Sequence, residues 1–366
     1  LAHGSAPRAG DRLVQEGLAR TLETIAREGR AAFYEGEIAR EITAWIRHRG
    51  GVLDREDFAA HETELTAPLS TTYRGYRVYQ TGLPSQGLIL LEALNIVENA
   101  TIADPQGYDA IHLMVEAKKL AYADRLGHAA DPAFHDTPVA TLLDKAWAQS
   151  RFAQIDPYRA MTDVRHGDLQ LADTTYLCVA DGEGRLVSLI QSVSSAFGSG
   201  VVGGATGVVL NNRAGRGFSL VEGHPNIYAP GKKTMHTLNC FLVADESGRP
   251  VLVGGTPGGD GQPQWNLQML VGLIDAGMDV QEAIEQPRWT SWPGTDPISI
   301  DNPFELRIEE RVARETILEL ADRGHLVKLR GAWDGGGAAQ MIARDPDTGV
   351  MIGGSDARVE GTVLGF

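Results

Sequence analysis

The chain has 366 residues, 43% of them hydrophobic and 22% charged, proportions that exclude a disordered chain, a collagen-like repeat and a disulfide scaffold. Its net charge is -15, from 48 acidic against 33 basic residues, and without a local basic patch such a surface repels nucleic-acid phosphates. No stretch approaches the roughly 20 apolar residues of a membrane span, and the two cysteines, Cys178 and Cys240, have neither a C-x-x-C nor a zinc-like spacing.

The first part of the chain reads as helical. Asp11 to Glu28 places Leu13, Val14, Leu18, Leu22 and Ile25 close to a 3.6-residue period, with Gly29 as the stop. Gly36 to Arg49 repeats the pattern through Ile38, Ile42, Trp45 and Ile46 and ends at Gly50-Gly51. Asp54 is an N-cap for a short helix, Arg55 to His61. The period then falls to two: Leu69 to Tyr79, rich in Thr, Tyr and Val around Arg74-Gly75, predicts a hairpin. Pro84-Ser85-Gln86-Gly87 opens a helix through Leu88, Leu91, Leu94 and Ile96, and a long helix follows from Tyr108 to Gly127. After about Pro157 strands take over. Tyr176 to Ala180 and Leu186 to Ile190 flank the turn Asp181-Gly182-Glu183-Gly184. A glycine-rich run, Gly198 to Gly207, precedes a strand at Val208 to Leu210, and Asn239 to Ala244 pairs with Val251 to Val253. Trp265 to Ala276, Val280 to Glu285 and Glu309 to Asp322 are predicted helices, and Met341 to Ala343 with Val350 to Ile352 is a last hairpin. Blocks of strands and helices, rather than strict βαβ alternation, predict an α+β layered sandwich. The chain opens at Leu1 without the charged and apolar regions of a signal peptide, and it is read as a fragment or a processed product.

Three local features carry chemistry, each with a plainer alternative. Asp173-Thr174-Thr175-Tyr176 presents hydroxyls before a strand, where threonine is also common for its β-propensity. Thr256-Pro257-Gly258-Gly259-Asp260 frees backbone N–H groups at a strand-to-helix turn, suited to an anion or a developing oxyanion, or is a plain turn. The run Phe197 to Gly204 lacks the strand before and the helix after that a dinucleotide loop needs. There is no G-x-x-x-x-G-K-[ST] phosphate loop and no G-x-S-x-G elbow. The ten histidines form no H-x-x-x-H or H-E-x-x-H pair, which disfavours a metal. Cys178 and Cys240 lie inside predicted strands and read as core residues rather than nucleophiles. Glu116 and Asp124 on the long helix read as packing. Trp289, Trp292 and Trp333 read as packing or as a cleft wall, and Trp333 to Gly337 as a plain loop or a lid.

Taken in order, these signals resemble a known family. Thr174-Thr175-Tyr176, Asp181 to Gly184, Phe197 to Gly200, Gly207 to Asn212 and Phe218-Ser219 resemble the start of the small subunit of γ-glutamyltransferases. Gly255 to Gly259, Gly277-Met278, Glu282-Ala283, Pro287-Arg288 and Gly354 to Arg358 resemble its later motifs. Ala32 to Ala39, Gly50-Gly51, Asp57-Phe58, Pro84 to Gly87 and His112 to Asp124 resemble the large subunit. The resemblance implies the four-layer αββα sandwich of N-terminal-nucleophile hydrolases. It implies self-cleavage between Asp173 and Thr174, with residues 1–173 as the large-subunit portion and 174–366 as the small-subunit portion of one sandwich. It also implies Thr174 as the nucleophile, Ser192 as the hydroxyl beside it in place of the family's threonine, and Gly258 and Gly259 as the oxyanion pair. It implies no cofactor.

The substrate-reading positions depart from the family. Where glutathione-type members have a Ser-Ser pair for the glutamyl α-carboxylate, this chain has His236-Thr237, and Ser194 replaces an asparagine. The acidic residue that grips the α-amino group is absent: the loop reads Arg213-Ala214-Gly215-Arg216-Gly217-Phe218. Arg213 and Arg216, if they face the pocket rather than solvent, suit a carboxylate. The expectation is therefore an amide hydrolase whose acyl part carries a carboxylate without an α-amino group, of glutaryl or oxamate type, with water or an amine as acceptor. An ordinary γ-glutamyltransferase acting on glutathione, and an unprocessed or degenerate relative, stay open. The partners expected are the amide substrate and the two autocleavage fragments for each other, with a dimer of these open. The first part of the large subunit is expected to be missing. The compartment is left between cytoplasm and periplasm, with cytoplasm preferred.

Overall fold

The computed structural model describes residues 6–162, 172–293 and 303–366. They fall into two compact units, one formed by the chain up to Leu65 with Ala196–Asn212, the other by Thr66–Ser195 with Arg213–Phe366.

In the first unit, amphipathic periodicity yields helices at Glu16–Glu28 and Glu37–His48, with short ones at Arg30–Tyr34 and Arg55–Ala59. Asp54 caps the last of these in a reciprocal capping box with Asp57. The first helix starts later than its periodicity suggests, and Leu13 and Val14 lie exposed before it. The glycine-rich run serves close packing here. A Cβ on Gly207, itself at φ +74°, would fall 2.2 Å from the Leu18 nitrogen, and Thr21 Oγ1 donates to the Thr206 carbonyl at 2.8 Å. The predicted strand at Val208–Leu210 does not form. The segment folds back on itself with a single bridge, Val202 to Val209.

In the second unit the alternating segments become β1 (Leu69–Tyr73), β2 (Tyr76–Gln80), β3 (Ala172–Ala180), β4 (Leu186–Ser195), β5 (Cys240–Ala244), β6 (Pro250–Gly255), β7 (Trp289–Trp292), β8 (Glu305–Glu309), β9 (Val327–Arg330), β10 (Gln340–Arg344) and β11 (Met351–Ser355). Six of them form an antiparallel sheet in the order β1-β2-β5-β6-β10-β11. Phe241, Val243, Leu252 and Met341 share one hydrophobic core with the helices Gly87–Val97, Tyr108–His128 and Gln262–Ile274. Every residue of Gly87–Val97 is buried, which accounts for its lack of a polar face.

The alternate residues of the sheet meet the β3–β4 hairpin. The Tyr176 ring lies on Gly255, where an added Cβ would sit 2.7 Å from Cε2. Cys240 Sγ contacts the Ser188 carbonyl. Helices, six-stranded sheet and hairpin thus form three successive layers of a mixed α+β fold. The outer face of the hairpin carries the cross-strand pairs Leu177–Leu189 and Val179–Val187, all at least 42% exposed. The two thiols are free and lie within strands, as expected. Burial raises both, Cys178 to about 11, so neither is a thiolate near neutrality.

Three further features differ from expectation. A small sheet, β7-β8-β9, pairs β8 with β9 in parallel. The helix expected from Glu309 begins only at Arg314, because Glu305–Glu309 is strand. A helix at Lys145–Phe152, capped by the Asp144 carboxylate, was not anticipated.

Candidate active site

The break in the β3–β4 ladder is the local event that shapes the site. Asp173 pairs with Ser194 but Thr174 pairs with Ser192, so the register slips across the Asp173–Thr174 peptide and Val193 is left over. Ser194 adopts φ +82°, a region uncommon for a side chain other than glycine. The slip brings Thr174 Oγ1 to 3.0 Å from Ser192 Oγ, to which it donates. The Ser194 amide donates to the same Ser192 oxygen at 2.9 Å, fixing that hydroxyl in place.

Thr174 and Gly258 face one cavity of about 580 Å3. Gly258 in this turn must be glycine, and Gly259 sits in the left-handed region that favours it. Gly258 has φ +136° and Gly259 φ +56°, and a Cβ on Gly258 would lie 2.0 Å from Trp265 Cζ3. The N–H groups of these two glycines have no protein acceptor among the described residues.

Sequence reasoning missed what holds this turn. Gln86 Nε2 donates to the carbonyls of Gly259 at 2.9 Å and Thr237 at 2.8 Å. Arg125 donates to Gln86 Oε1 at 2.8 Å and pairs with Asp260 at 2.6 Å, both charges buried. Tyr122 donates to the Asp260 carbonyl, and Trp265 is fixed by its Nε1 bond to Thr290 at 2.9 Å. The sequence signals were the Pro84–Gly87, His112–Asp124 and Thr256–Asp260 segments, which contain Gln86, Tyr122 and Asp260 but carry no local pattern that announces this role.

The residues expected to read the substrate form the other side of the site. The Arg213–Gly217 turn of helix points Arg216 Nη1 at Ser194 Oγ, 3.3 Å away, and Arg213 Nη2 at Thr237 Oγ1, 3.0 Å away. Arg216 is therefore joined to Thr174 through Ser194 and Ser192, and Arg213 to the Gly259 turn through Thr237 and Gln86. His236 is anchored by its backbone N–H to the Pro84 carbonyl at 3.1 Å. Burial, with Arg213 and Arg125 nearby, lowers its pKa to about 4, so it is a neutral ring near neutral pH. Its buried Nδ1 has no partner among the described residues.

Trp289 is fully buried core. Trp265, which was not singled out, lines the cavity instead. The Gly335–Gly337 loop lines it too, and it is pinned rather than loose: the Gly335 amide donates to Glu309 at 2.9 Å, and Arg288, bonded to Asp356 at 2.8 Å, donates to the Gly336 carbonyl. Glu116 and Asp124 are packing groups paired with Lys119 and Arg151. Among the described residues His112, Glu116 and His325 bring three donor atoms within 4.8 Å of one another. His112 Nδ1 and His325 Nε2 already share a bond of 2.8 Å, and Glu116 accepts from Lys119 at 2.6 Å and from the Met161 amide at 2.9 Å. The Glu116 carboxylate is thus already paired with the Lys119 ammonium.

A hydroxyl on a strand facing free amides across a cavity is the layout of an acyl-transfer hydrolase. The family model described as Gamma-glutamyltranspeptidase matches residues 1–366. The chain is 40% identical over 366 residues to the glutathione hydrolase-like YwrD proenzyme of Bacillus subtilis, covering 99% of this chain and 68% of that protein. It is 35% identical over 370 residues to the oxamate amidohydrolase proenzyme of Klebsiella pneumoniae, covering 100% and 68%. It matches the crystal structure of cephalosporin acylase from Bacillus halodurans with a TM-score of 0.90 at 35% identity, covering 99% of this chain and 65% of that one. The chain thus belongs to the γ-glutamyltranspeptidase family of N-terminal-nucleophile hydrolases, and it spans about two thirds of the length of these relatives.

Proposed function

We propose that the chain is the core of a self-processing amidohydrolase that forms an acyl-enzyme on Thr174 and hydrolyses amides whose acyl part carries a carboxylate, of glutaryl or oxamate type. The observation that carries this reading is the Thr174–Ser192 hydrogen bond at a register slip across the Asp173–Thr174 peptide. In processing, Thr174 Oγ1 attacks the Asp173 carbonyl carbon. The C–N bond breaks, and water hydrolyses the resulting ester. The products are residues 1–173 and 174–366, which stay associated. The hairpin's open apolar face belongs, in this reading, to the second sheet of a four-layer αββα sandwich.

The free α-amine of Thr174, with an unperturbed pKa of roughly 7.7–8.0, then takes the proton of its own hydroxyl near neutral pH. Oγ1 attacks the substrate carbonyl carbon, and the Gly258 and Gly259 amides receive the developing oxyanion. The proton passes to the departing amine, and water cleaves the ester. Ser192 holds Oγ1 in line. Arg213 and Arg216 are the partners for the acyl carboxylate, and neutral His236, with Thr237 and Ser194, completes that side. No carboxylate in the Arg213–Phe218 segment receives an α-ammonium group, which favours des-amino acyl groups over γ-glutamyl. The second reading, glutathione hydrolysis, is favoured by the name of the Bacillus subtilis relative.

Two measurements test this. Intact mass of active material should give two fragments with Thr174 leading the second, and Thr174→Ala should stay whole and inactive. A panel of glutaryl, oxamyl and γ-glutamyl amides should show the first two preferred. A strong preference for γ-glutamyl anilide over its des-amino analogue would defeat the substrate assignment.

A further inference from the structure

A second cavity, of about 520 Å3, shares no lining residue with the one at Thr174. One wall is the opening turn of the Tyr108–His128 helix, and the body is apolar, with Ile102, Leu113, Phe152 and Ile155 along its sides. Its size and lining are those of a small-molecule site, and nothing in the chemistry proposed for Thr174 uses it.

The uncommitted polar groups in this wall are donors. The Arg323 side chain is only 6% exposed and lines the cavity. Its Nη2 donates to Asp109 at 2.6 Å and its Nε to Glu319 at 3.2 Å, which leaves Nη1 without a partner among the described residues. The Tyr108 ring lies against the guanidinium, with Cζ 4.8 Å from the ring centroid, and its hydroxyl has no described partner either. Gly107 gives the helix no side-chain cap, so the amides of Tyr108, Asp109 and Ala110 are left without acceptors at the same wall. His112 offers only ring surface, because its two nitrogens are bonded to His325 and to the Asp156 carbonyl, both at 2.8 Å. The charge of Arg323 is already met by Asp109 and Glu319, and Asp104 adds a further carboxylate to the wall. A bound acid would be repelled by these carboxylates, and a bound ammonium would bring donors to donors.

We infer that this cavity binds an uncharged, largely apolar molecule by a carbonyl oxygen that accepts from Arg323 Nη1, with the Tyr108 hydroxyl as a second donor. A carbonyl supplies the lone pairs that these donors lack and brings no charge to a site whose charges are already matched. Its apolar remainder packs against Ile102, Leu113 and Phe152. Binding also answers a guanidinium nitrogen that the fold leaves unsatisfied in a nearly buried side chain.

The probes are benzylacetone, hydrocinnamate and phenylpropylamine, which place a ketone, a carboxylate and an ammonium on one phenylalkyl body. None has an amide to cleave, so the result is independent of the function proposed above. Titration calorimetry should give benzylacetone a single site with a Kd of about 1 mM or tighter, and the acid and the amine at least about 10-fold weaker. Tyr108→Phe keeps the ring and should weaken the ketone about 3- to 10-fold, and Arg323→Lys, which keeps the charge but loses Nη1, about 10-fold. Ala103→Phe, at an exposed position in the wall, fills the cavity and should abolish binding with the urea midpoint unchanged. If Arg323→Lys lowers that midpoint, Tyr108→Phe and Ala103→Phe decide the matter. Acid or amine binding as tightly as the ketone would overturn the ligand class. No binding of benzylacetone, or binding indifferent to Ala103→Phe, would remove the site.

Discussion

Replacing Gly258 by alanine tests the oxyanion turn where its geometry is least forgiving. The backbone there has φ +136°, a conformation whose cost for a side-chain residue is about 1–3 kcal/mol. The new Cβ would also start 2.0 Å from Trp265 Cζ3. To reach an ordinary contact of 3.4 Å, ring and turn must separate by about 1.4 Å. The ring has little room to yield: its Nε1 is tied to Thr290, and added Cβ atoms at Gly261, Gly336 and Gly337 would all lie within 3 Å of it. The turn must therefore move, carrying its amides off the oxyanion position. A displaced donor of this kind lowers the rate about 10²- to 10³-fold. The assay is kcat/KM on a glutaryl anilide, alongside the urea midpoint and the extent of self-cleavage. Trp265→Leu supplies the second arm. It removes the ring, so Gly258→Ala should cost less in that background than in the parent. A Gly258→Ala protein within threefold of the parent rate would refute the assignment, as would equal losses in both backgrounds.

Ser192→Ala removes a neutral hydrogen bond to the nucleophile and should slow both processing and turnover about 3- to 10-fold, with Ser192→Thr close to the parent. Arg125→Met removes one member of a buried ion pair, together with its bond to Gln86, and should cost about 3–5 kcal/mol in denaturant unfolding; an unchanged midpoint would show that the turn is held without the guanidinium. Burial lowers His236 to about 4 and His325 to about 3, so between pH 6.5 and about 4 the unfolded chain binds protons that the native protein does not. Stability should therefore fall as pH drops through that window, by up to about 1.4 kcal/mol per pH unit for each ring. His325→Gln should flatten the dependence measured by urea unfolding at pH 6.5 and 4.5.

What could be read in the sequence, and what could not, divides along a physical line. Elements whose signal is local were legible: the N-cap at Asp54, the hairpin around Arg74-Gly75 and the helix opened by Pro84 to Gly87 all stand close to where periodicity and turn chemistry put them. Val208–Leu210 has the composition of a strand, yet the glycines before it are there to pass beneath the first helix, and packing decides its fate. Glu305–Glu309 and Val327–Arg330 are five and four residues long, and they become strands only by pairing with distant segments, Glu305–Glu309 with Trp289–Trp292 on one side and with Val327–Arg330, across the Arg314–Asp322 helix, on the other. The site divides in the same way. Thr174 and the two glycines stand out because the chemistry proposed for them needs those residue types, whereas the ion-pair and hydrogen-bond roles of Gln86, Arg125 and Asp260 emerge only when folding brings them together from three separate segments. Their burial makes them decisive. A carbonyl cradle built on a buried ion pair cannot relax as a solvated loop would, so the Gly259 amide keeps its direction before any substrate arrives. The same rigidity extends to the cavity wall, where Glu309, and Arg288 backed by Asp356, hold the Gly335–Gly337 loop beside Trp265. In the function proposed here, Thr174 and its Gly258-Gly259 turn are closely fixed, and variation in substrate would fall to Arg213 and Arg216 at the margin of the site.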